Sequence, residues 1–364
     1  MHREPRLEPK AVGLPEEARL LYDLVAIPSP SGQEGPAARF LVDWMAEHGF
    51  RAYVDAAGSA VGIRGSGGRD LALLGHIDTV PGEVPLAIRA GKLYGRGAVD
   101  AKGPLAAFAL AAAALVPPPG TRLVVIGASG EESASSPGAR HAMRCFSPAA
   151  CLVGEPSGWQ RVTLGYKGRL QVEWSFRGPL AHSAGPQPSA AERAVAFWLQ
   201  VQEYLRRQNG RQGRPFDRLD VSLRRLNSSE SGGYGAAHMQ MIFRLPLGMD
   251  PHLLEEELRP LARQARLSFA GHEAAYLAPK NTPLVRALLR SIRRCQGDPK
   301  FVVKTGTSDM NVVGPVWDCP IAAYGPGDAA LDHTPYEHID LAEFSRAVEV
   351  LRGALQEMLF LLAR

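Results

Sequence analysis

The chain has 364 residues, 45% of them hydrophobic and 21% charged, with a formal net charge of +4. That balance describes a globular protein long enough for two domains, and so small a charge makes nucleic acid a poor default partner. The opening MHREPRLEPK has no apolar core of a signal peptide, and the longest apolar run, residues 105–116, is too short to cross a bilayer. The expected setting is the cytoplasm, with no membrane partner. Cys145, Cys151, Cys295 and Cys319 form no C-x-x-C pair and read as reduced, buried small hydrophobes.

Up to about residue 165, apolar runs alternate with helical patterns. Helices are expected over 15–27, 35–48 and the Ala-rich stretch after Pro104, with strands at 60–64, 70–74, 121–126 and 150–153. Near-continuous apolar strands flanked by helices describe a sheet covered on both faces. After Gly168 the pattern changes. Strict alternation at 170–176, 219–226 and 238–245 marks strands with one wet face, interleaved with amphipathic helices at 189–207 and 251–264. From about Pro279 the first pattern returns, with a helix at 284–295, strands at 300–303 and 320–324, and a closing helix from Leu341. The expected fold is α/β. A catalytic domain with a mostly parallel central sheet is formed by residues 1–167 and 278–364. An α+β lid with an antiparallel sheet, residues 168–277, is inserted between them.

Acids and imidazoles stand at the ends of these runs: His76 in LALLGHIDTVPG, Asp100 in YGRGAVDAKGP, Glu131 and Glu132 in LVVIGASGEES, Glu155 in CLVGEPS, and His333 in DAALDHTPYEH. Taken singly, each has a plain structural reading. His76 and Asp78 make a strand-end hydrogen-bonded pair, Asp100 caps a helix, and a Glu–Glu pair is solvated surface. Together they suggest a pocket for two divalent cations, because zinc accepts imidazole nitrogen and carboxylate oxygen and paired ions need a carboxylate between them. The H-x-D spacing puts both side chains on one side of extended backbone, so Asp78 is placed to orient His76. Adjacent acids diverge, which lets one bind metal while the other serves as general base.

The stretches G-H-I-D-T-V-P-G, G-R-G-A-V-D-A-K-G, G-E-E-S, G-E-P-S, G-T-S-D and G-P-G-D-A-A-L-D-H-T resemble, in order, the dinuclear-zinc aminoacylase and carboxypeptidase family. That family includes acetylornithine deacetylases and succinyl-diaminopimelate desuccinylases. The resemblance implies two zinc ions per subunit, with cobalt able to substitute. His76 and Glu155 would hold one ion, Glu132 and His333 the other, and Asp100 would bridge them. Asp78 would orient His76 and Glu131 would be the base. The insert would be a dimerisation lid, R-G-P-L-A-H-S-A placing His182 in the partner's active site, although alone His182 reads as a lid-surface histidine. Arg244, Thr305, Thr307 and Ser308 would grip the substrate. Gly130, where many members carry Asp before the Glu pair, and Tyr336, where an acid is common, depart from the pattern.

Within the family the chain is similar to the hydrolases that release lysine, or ornithine, from an acidic amino-group carrier protein in lysine and arginine biosynthesis. The same residues also suit a deacetylase or desuccinylase of a small N-acyl amino acid, or a dipeptidase. A metal-binding homologue without catalysis is the reading from another class. The arginines Arg206, Arg207, Arg211, Arg214, Arg218, Arg224 and Arg225 read equally as a dock for an acidic carrier and as a solvated face.

Overall fold

A computed structural model describes residues 16–180, 182–210 and 213–364. Its main sheet has nine strands. Across the sheet they run Arg51–Val54, Ala60–Gly65, Gly120–Ala128, Gly67–His76, Ala150–Gly154, Ile321–Ala323, Arg161–Tyr166 and Tyr276–Leu277, with Lys300–Lys304 also beside Arg161–Tyr166. The four middle strands, from Gly120–Ala128 to Ile321–Ala323, pair in parallel. The flanks are antiparallel apart from Lys300–Lys304. The sheet is thus parallel where the site forms and mixed at its edges.

The continuous apolar runs divide by alternate residues. Leu71, Leu73, Leu123, Val125 and Leu152 meet one core, and Ala72, Leu74, Val124, Ile126 and Val153 meet another, as strands buried on both faces require. The helices Glu16–Ala26, Gly35–Glu47, Lys102–Ala113, Pro283–Arg294 and Leu341–Ala363 contribute to the first core, and Pro137–Cys145 and Asp309–Val313 to the second.

Gly127, Gly75 and Gly154 stand in register across three parallel strands. A Cβ at Gly75 would lie 3.3 Å from the Leu105 Cβ, one at Gly127 3.0 Å from the Leu105 Cδ2, and one at Gly154 2.9 Å from the Phe108 Cε2. The missing side chains let the helix Lys102–Ala113 lie close on the sheet at its carboxyl edge. That contact sets the position of the Asp100 loop just before the helix.

The insert is a four-stranded antiparallel sheet ordered Asp220–Ser231, Tyr234–Leu245, Gly168–Pro179 and Arg266–Glu273. Its inward residues Leu170, Val172, Trp174, Met239, Met241 and Phe243 pack with Phe197 and Val201 of the helix Ala190–Asn209. Ser189 and Glu192 close a capping box at that helix's start. The strand Arg266–Glu273 was not expected, and the helix expected over 251–264 stops at Leu258, giving way to a 3₁₀ turn at Arg259–Ala262. Pro260 has no N–H for an α-helical bond, and Arg263 turns to φ +52°. A small third sheet joins His338–Asp340, Lys92–Tyr94 and Ala87–Arg89. Cys145 corrects the expectation of buried cysteines: it is exposed, with Cys151 buried and the other two between. Among the described residues no helix is long and apolar enough to cross a membrane.

Gly154→Ala should destabilise the protein by about 1–3 kcal/mol through overpacking against Phe108. Phe108→Leu in the same chain should recover part of that loss, read from urea unfolding midpoints.

Candidate active site and metal centre

Every group at the centre follows the carboxyl end of a parallel strand or sits in a loop facing those ends. His76 closes Gly67–His76, Glu131 and Glu132 follow Gly120–Ala128, Glu155 follows Ala150–Gly154, and His333 follows Ile321–Ala323. This is where open α/β sheets place ligands. Asp100 lies between the two imidazoles, its Oδ1 3.1 Å from His76 Nε2 and its Oδ2 3.0 Å from His333 Nε2. His333 Nε2 is also 2.9 Å from Glu132 Oε1. Two groups of potential ligand atoms result, His76 with Glu131 and Glu132, and Asp100 with Glu132 and His333. Glu155 lines the same cavity, of about 460 Å³, without joining either group. His333 has φ +61°, uncommon for a residue with a Cβ and a mark of a constrained position.

Two buried carboxylates hold this arrangement by its backbone. Asp78 accepts hydrogen bonds from the N–H groups of Glu131 (3.0 Å) and Glu132 (3.1 Å) and from the Ser31 hydroxyl (2.6 Å). The His76 ring is oriented mainly by the Asp78 carbonyl, 3.0 Å from Nδ1, while the carboxylate is 3.5 Å away. Asp78 therefore does more than the expected orientation of His76, because it sets the turn that carries the Glu pair. Gly130 allows that turn: its φ is +69°, and a Cβ there would lie 2.7 Å from Pro137. Glu337 does the same for the Asp100 loop, accepting from the N–H groups of Val99 (3.0 Å) and Asp100 (3.1 Å) and pairing with Arg96 at 2.7 Å. Tyr336 is 73% exposed, so the buried acid after His333 is the next residue, Glu337. Y-E-H in the sequence carried this signal unread.

The electrostatics are those of a cation site. Burial and then Asp100 push the Glu155 carboxyl up to about 8, and burial followed by Asp100 pushes Asp332 up to about 9. Burial also raises Glu131 well above its usual range. Burial opposes charge on Asp100, but hydrogen bonds from His333 and His76 keep it ionised far below the usual carboxylate range. Asp332 Oδ1 is a buried oxygen with no hydrogen-bond partner. Two imidazoles and several crowded carboxylates fit borderline divalent cations such as zinc, so the residues present suit the metals that the motifs imply.

On the rim, Arg244 Nη1 donates to the Thr307 hydroxyl at 2.7 Å, and Thr307 donates to the Lys167 carbonyl at 3.0 Å. Arg244, Thr305 and Thr307 line the cavity, with Arg169, Lys304, Tyr166 and Asp332, none of which the sequence singled out. Ser308 does not line it. This residue is buried and caps the helix Asp309–Val313, accepting from Met310 N–H. His182 is exposed, accepts from Ala184 N–H at 3.1 Å, and lines a separate groove on the insert. Arg206 and Arg207 pair with Glu203, Arg224 and Arg225 are exposed, and Arg211 lies outside the described residues. A second grouping, His252, Glu255 and His272, lies on the insert, where Arg259 already pairs with Glu255.

An α/β sheet with an inserted antiparallel lobe and a carboxylate–imidazole cavity at its carboxyl edge defines a hydrolase of the metallopeptidase class. The chain belongs to Peptidase family M20/M25/M40, whose profile matches residues 72–357. It is 49% identical to the LysW-lysine hydrolase of Deinococcus radiodurans over 347 residues, 93% of this chain and 96% of that one. It is 28% identical to the LysW-lysine/LysW-ornithine hydrolase of Saccharolobus islandicus, covering 93% and 95%. Its fold matches the M20 family metallo-carboxypeptidase Sso-CP2 of Sulfolobus solfataricus with a TM-score of 0.78 at 17% identity, covering 95% and 100%.

Between about pH 4.5 and 8, folded Glu155 keeps a proton that the unfolded carboxyl has lost. The native state binds more protons in that window, so stability falls as pH rises. The metal-free protein should lose unfolding free energy from pH 5 to 8, and added zinc should remove or reverse the trend, as followed by denaturant melts at each pH.

Proposed function

We propose that this protein is a dinuclear metal amidohydrolase that cleaves the amide joining lysine, and in second place ornithine, to an acidic amino-group carrier protein. The observation that carries the reading is the pair of ligand groups sharing Glu132 around an Asp100 whose two oxygens face different imidazoles. The lysine carrier enters through the printed names of the relatives, above all the one at 49% identity. In this reading His76 and Glu155 would hold one ion, Glu132 and His333 the other, and Asp100 would serve both. Zinc is the metal, and cobalt can replace it.

Divalent cations held there would supply Lewis acidity, which lowers the pKa of a bound water towards about 7 and polarises a carbonyl. The chain's own groups do the rest. Glu131, half-buried within the first ligand group and beside the second, takes the proton of the attacking water and returns it to the leaving amine. Asp78 keeps Glu131 aimed through its backbone N–H. Arg244, braced by Thr307, holds a carboxylate of the substrate. Residues 168–277 act as lid and dimerisation domain. His182, exposed and outside its own chain's cavity, supports a role across a subunit interface, donating to the developing oxyanion. The exposed Arg224 and Arg225 support docking of an acidic carrier.

Glu131→Gln should lower kcat on carrier-linked lysine by at least about a hundredfold while zinc content stays at the wild-type value. A variant that keeps wild-type kcat removes Glu131 as the base. His182→Ala should also be slow with its metals in place. Mixed dimers of His182→Ala and Glu131→Gln subunits should regain turnover, and mixtures no faster than their parents would place His182 outside the reaction.

A further inference from the structure

The cavity is lined by five carboxylates, from Asp100, Glu131, Glu132, Glu155 and Asp332. The first four have duties in the proposed chemistry, three holding cations and one moving a proton. Asp332 has none. Its Oδ1 is buried without a hydrogen-bond partner, although a buried acceptor normally finds one. Lys304, Arg169 and Arg244 line the same cavity. Lys304, whose charge reaches Asp332, donates to the Pro156 carbonyl, Arg169 pairs with Glu273 and Arg244 donates to Thr307, and none of them pairs with Asp332 within 4.0 Å. An acid left unpaired inside a binding cavity is a receptor for a positively charged group that arrives with the ligand.

We infer that Asp332 is the specificity residue that receives the side-chain ammonium of the amino acid being released. The inference rests on the functional reading above, which makes that amino acid lysine or ornithine. Each carries a primary ammonium at the end of a flexible chain. Divalent cations, once held by the ligand groups, would repel such a group, so a carboxylate that holds no cation would supply the counter-charge it needs. Asp332 is next to His333, so its Cα lies about 3.8 Å from that of a proposed ligand. An extended lysine side chain spans roughly 6 Å from Cα to Nζ. The acid is therefore within a side chain's length of the metal end of the cavity. Burial of the unpaired oxygen makes the contact selective. A ligand lacking the ammonium leaves the carboxylate unmatched, and sites built around a buried polar group reject such analogues strongly.

The test uses the zinc-loaded full chain and the carrier joined to lysine, ornithine or norleucine, the last having lysine's shape without its ammonium. The wild type should prefer lysine to norleucine by at least about a hundredfold in kcat/KM. Asp332→Asn should lower kcat/KM for the lysine conjugate about a hundredfold and that for norleucine by no more than about threefold, with zinc content equal to wild type. Asp332→Glu, whose carboxylate reaches one methylene further, should shift the lysine-to-ornithine ratio about tenfold towards the shorter ornithine. Equal losses on lysine and norleucine would overturn the assignment while leaving the hydrolase reading intact. Loss of zinc from Asp332→Asn, or an unchanged ratio in Asp332→Glu, would overturn it too, the former making Asp332 a metal ligand. A wild type that cleaves none of the three conjugates overturns the functional reading and this assignment together.

Discussion

Carboxylates that would repel one another are held together at the carboxyl edge of one sheet, and the rest of the molecule is arranged around keeping them there. Burial and mutual repulsion push Glu155 and Asp332 towards their protonated forms, so the cluster is costly unless cations balance it. The fold meets this cost by anchoring backbone as well as side chains. Asp78 binds the N–H groups of both members of the Glu pair, and Glu337 binds those of Val99 and Asp100. Each of these two loops is thus held through its backbone by a buried acid.

The glycine row serves the same end from the core side. Because Gly75, Gly127 and Gly154 offer no Cβ, the helix Lys102–Ala113 settles against the sheet and fixes the Asp100 loop over the strand ends. Gly75 and Gly154 immediately precede His76 and Glu155 in the chain. Close packing and the placement of the cavity's polar groups are thus encoded by neighbouring residues.

The insert stands in a different relation to the site. Its sheet has its own core, built around Trp174, Met241 and Phe243. It contributes Arg244 to the rim but leaves His182 exposed.

Much of this was legible in the sequence. Apolar runs ending in Gly-His, Gly-Glu or Gly-Glu-Glu announced strand ends carrying polar groups, and the strict alternation after Gly168 announced a sheet with one wet face, because side-chain period follows directly from backbone geometry. Those signals are local, and so they survive in one dimension. The roles of Glu337 and Asp332 were not legible, nor was the structural duty of Ser308, since each depends on partners or a cavity brought in by folding. Glu337 meets the Asp100 loop across a sequence separation of 237 residues, and Asp78 meets the Glu pair across 53 and 54. The order of residues alone marked the apolar runs, the change of pattern after Gly168 and the candidate ligands. Tertiary structure decided which acids bind backbone and which is left unpaired, because a hydrogen bond depends on distance in space, and that distance is set only when the sheet closes.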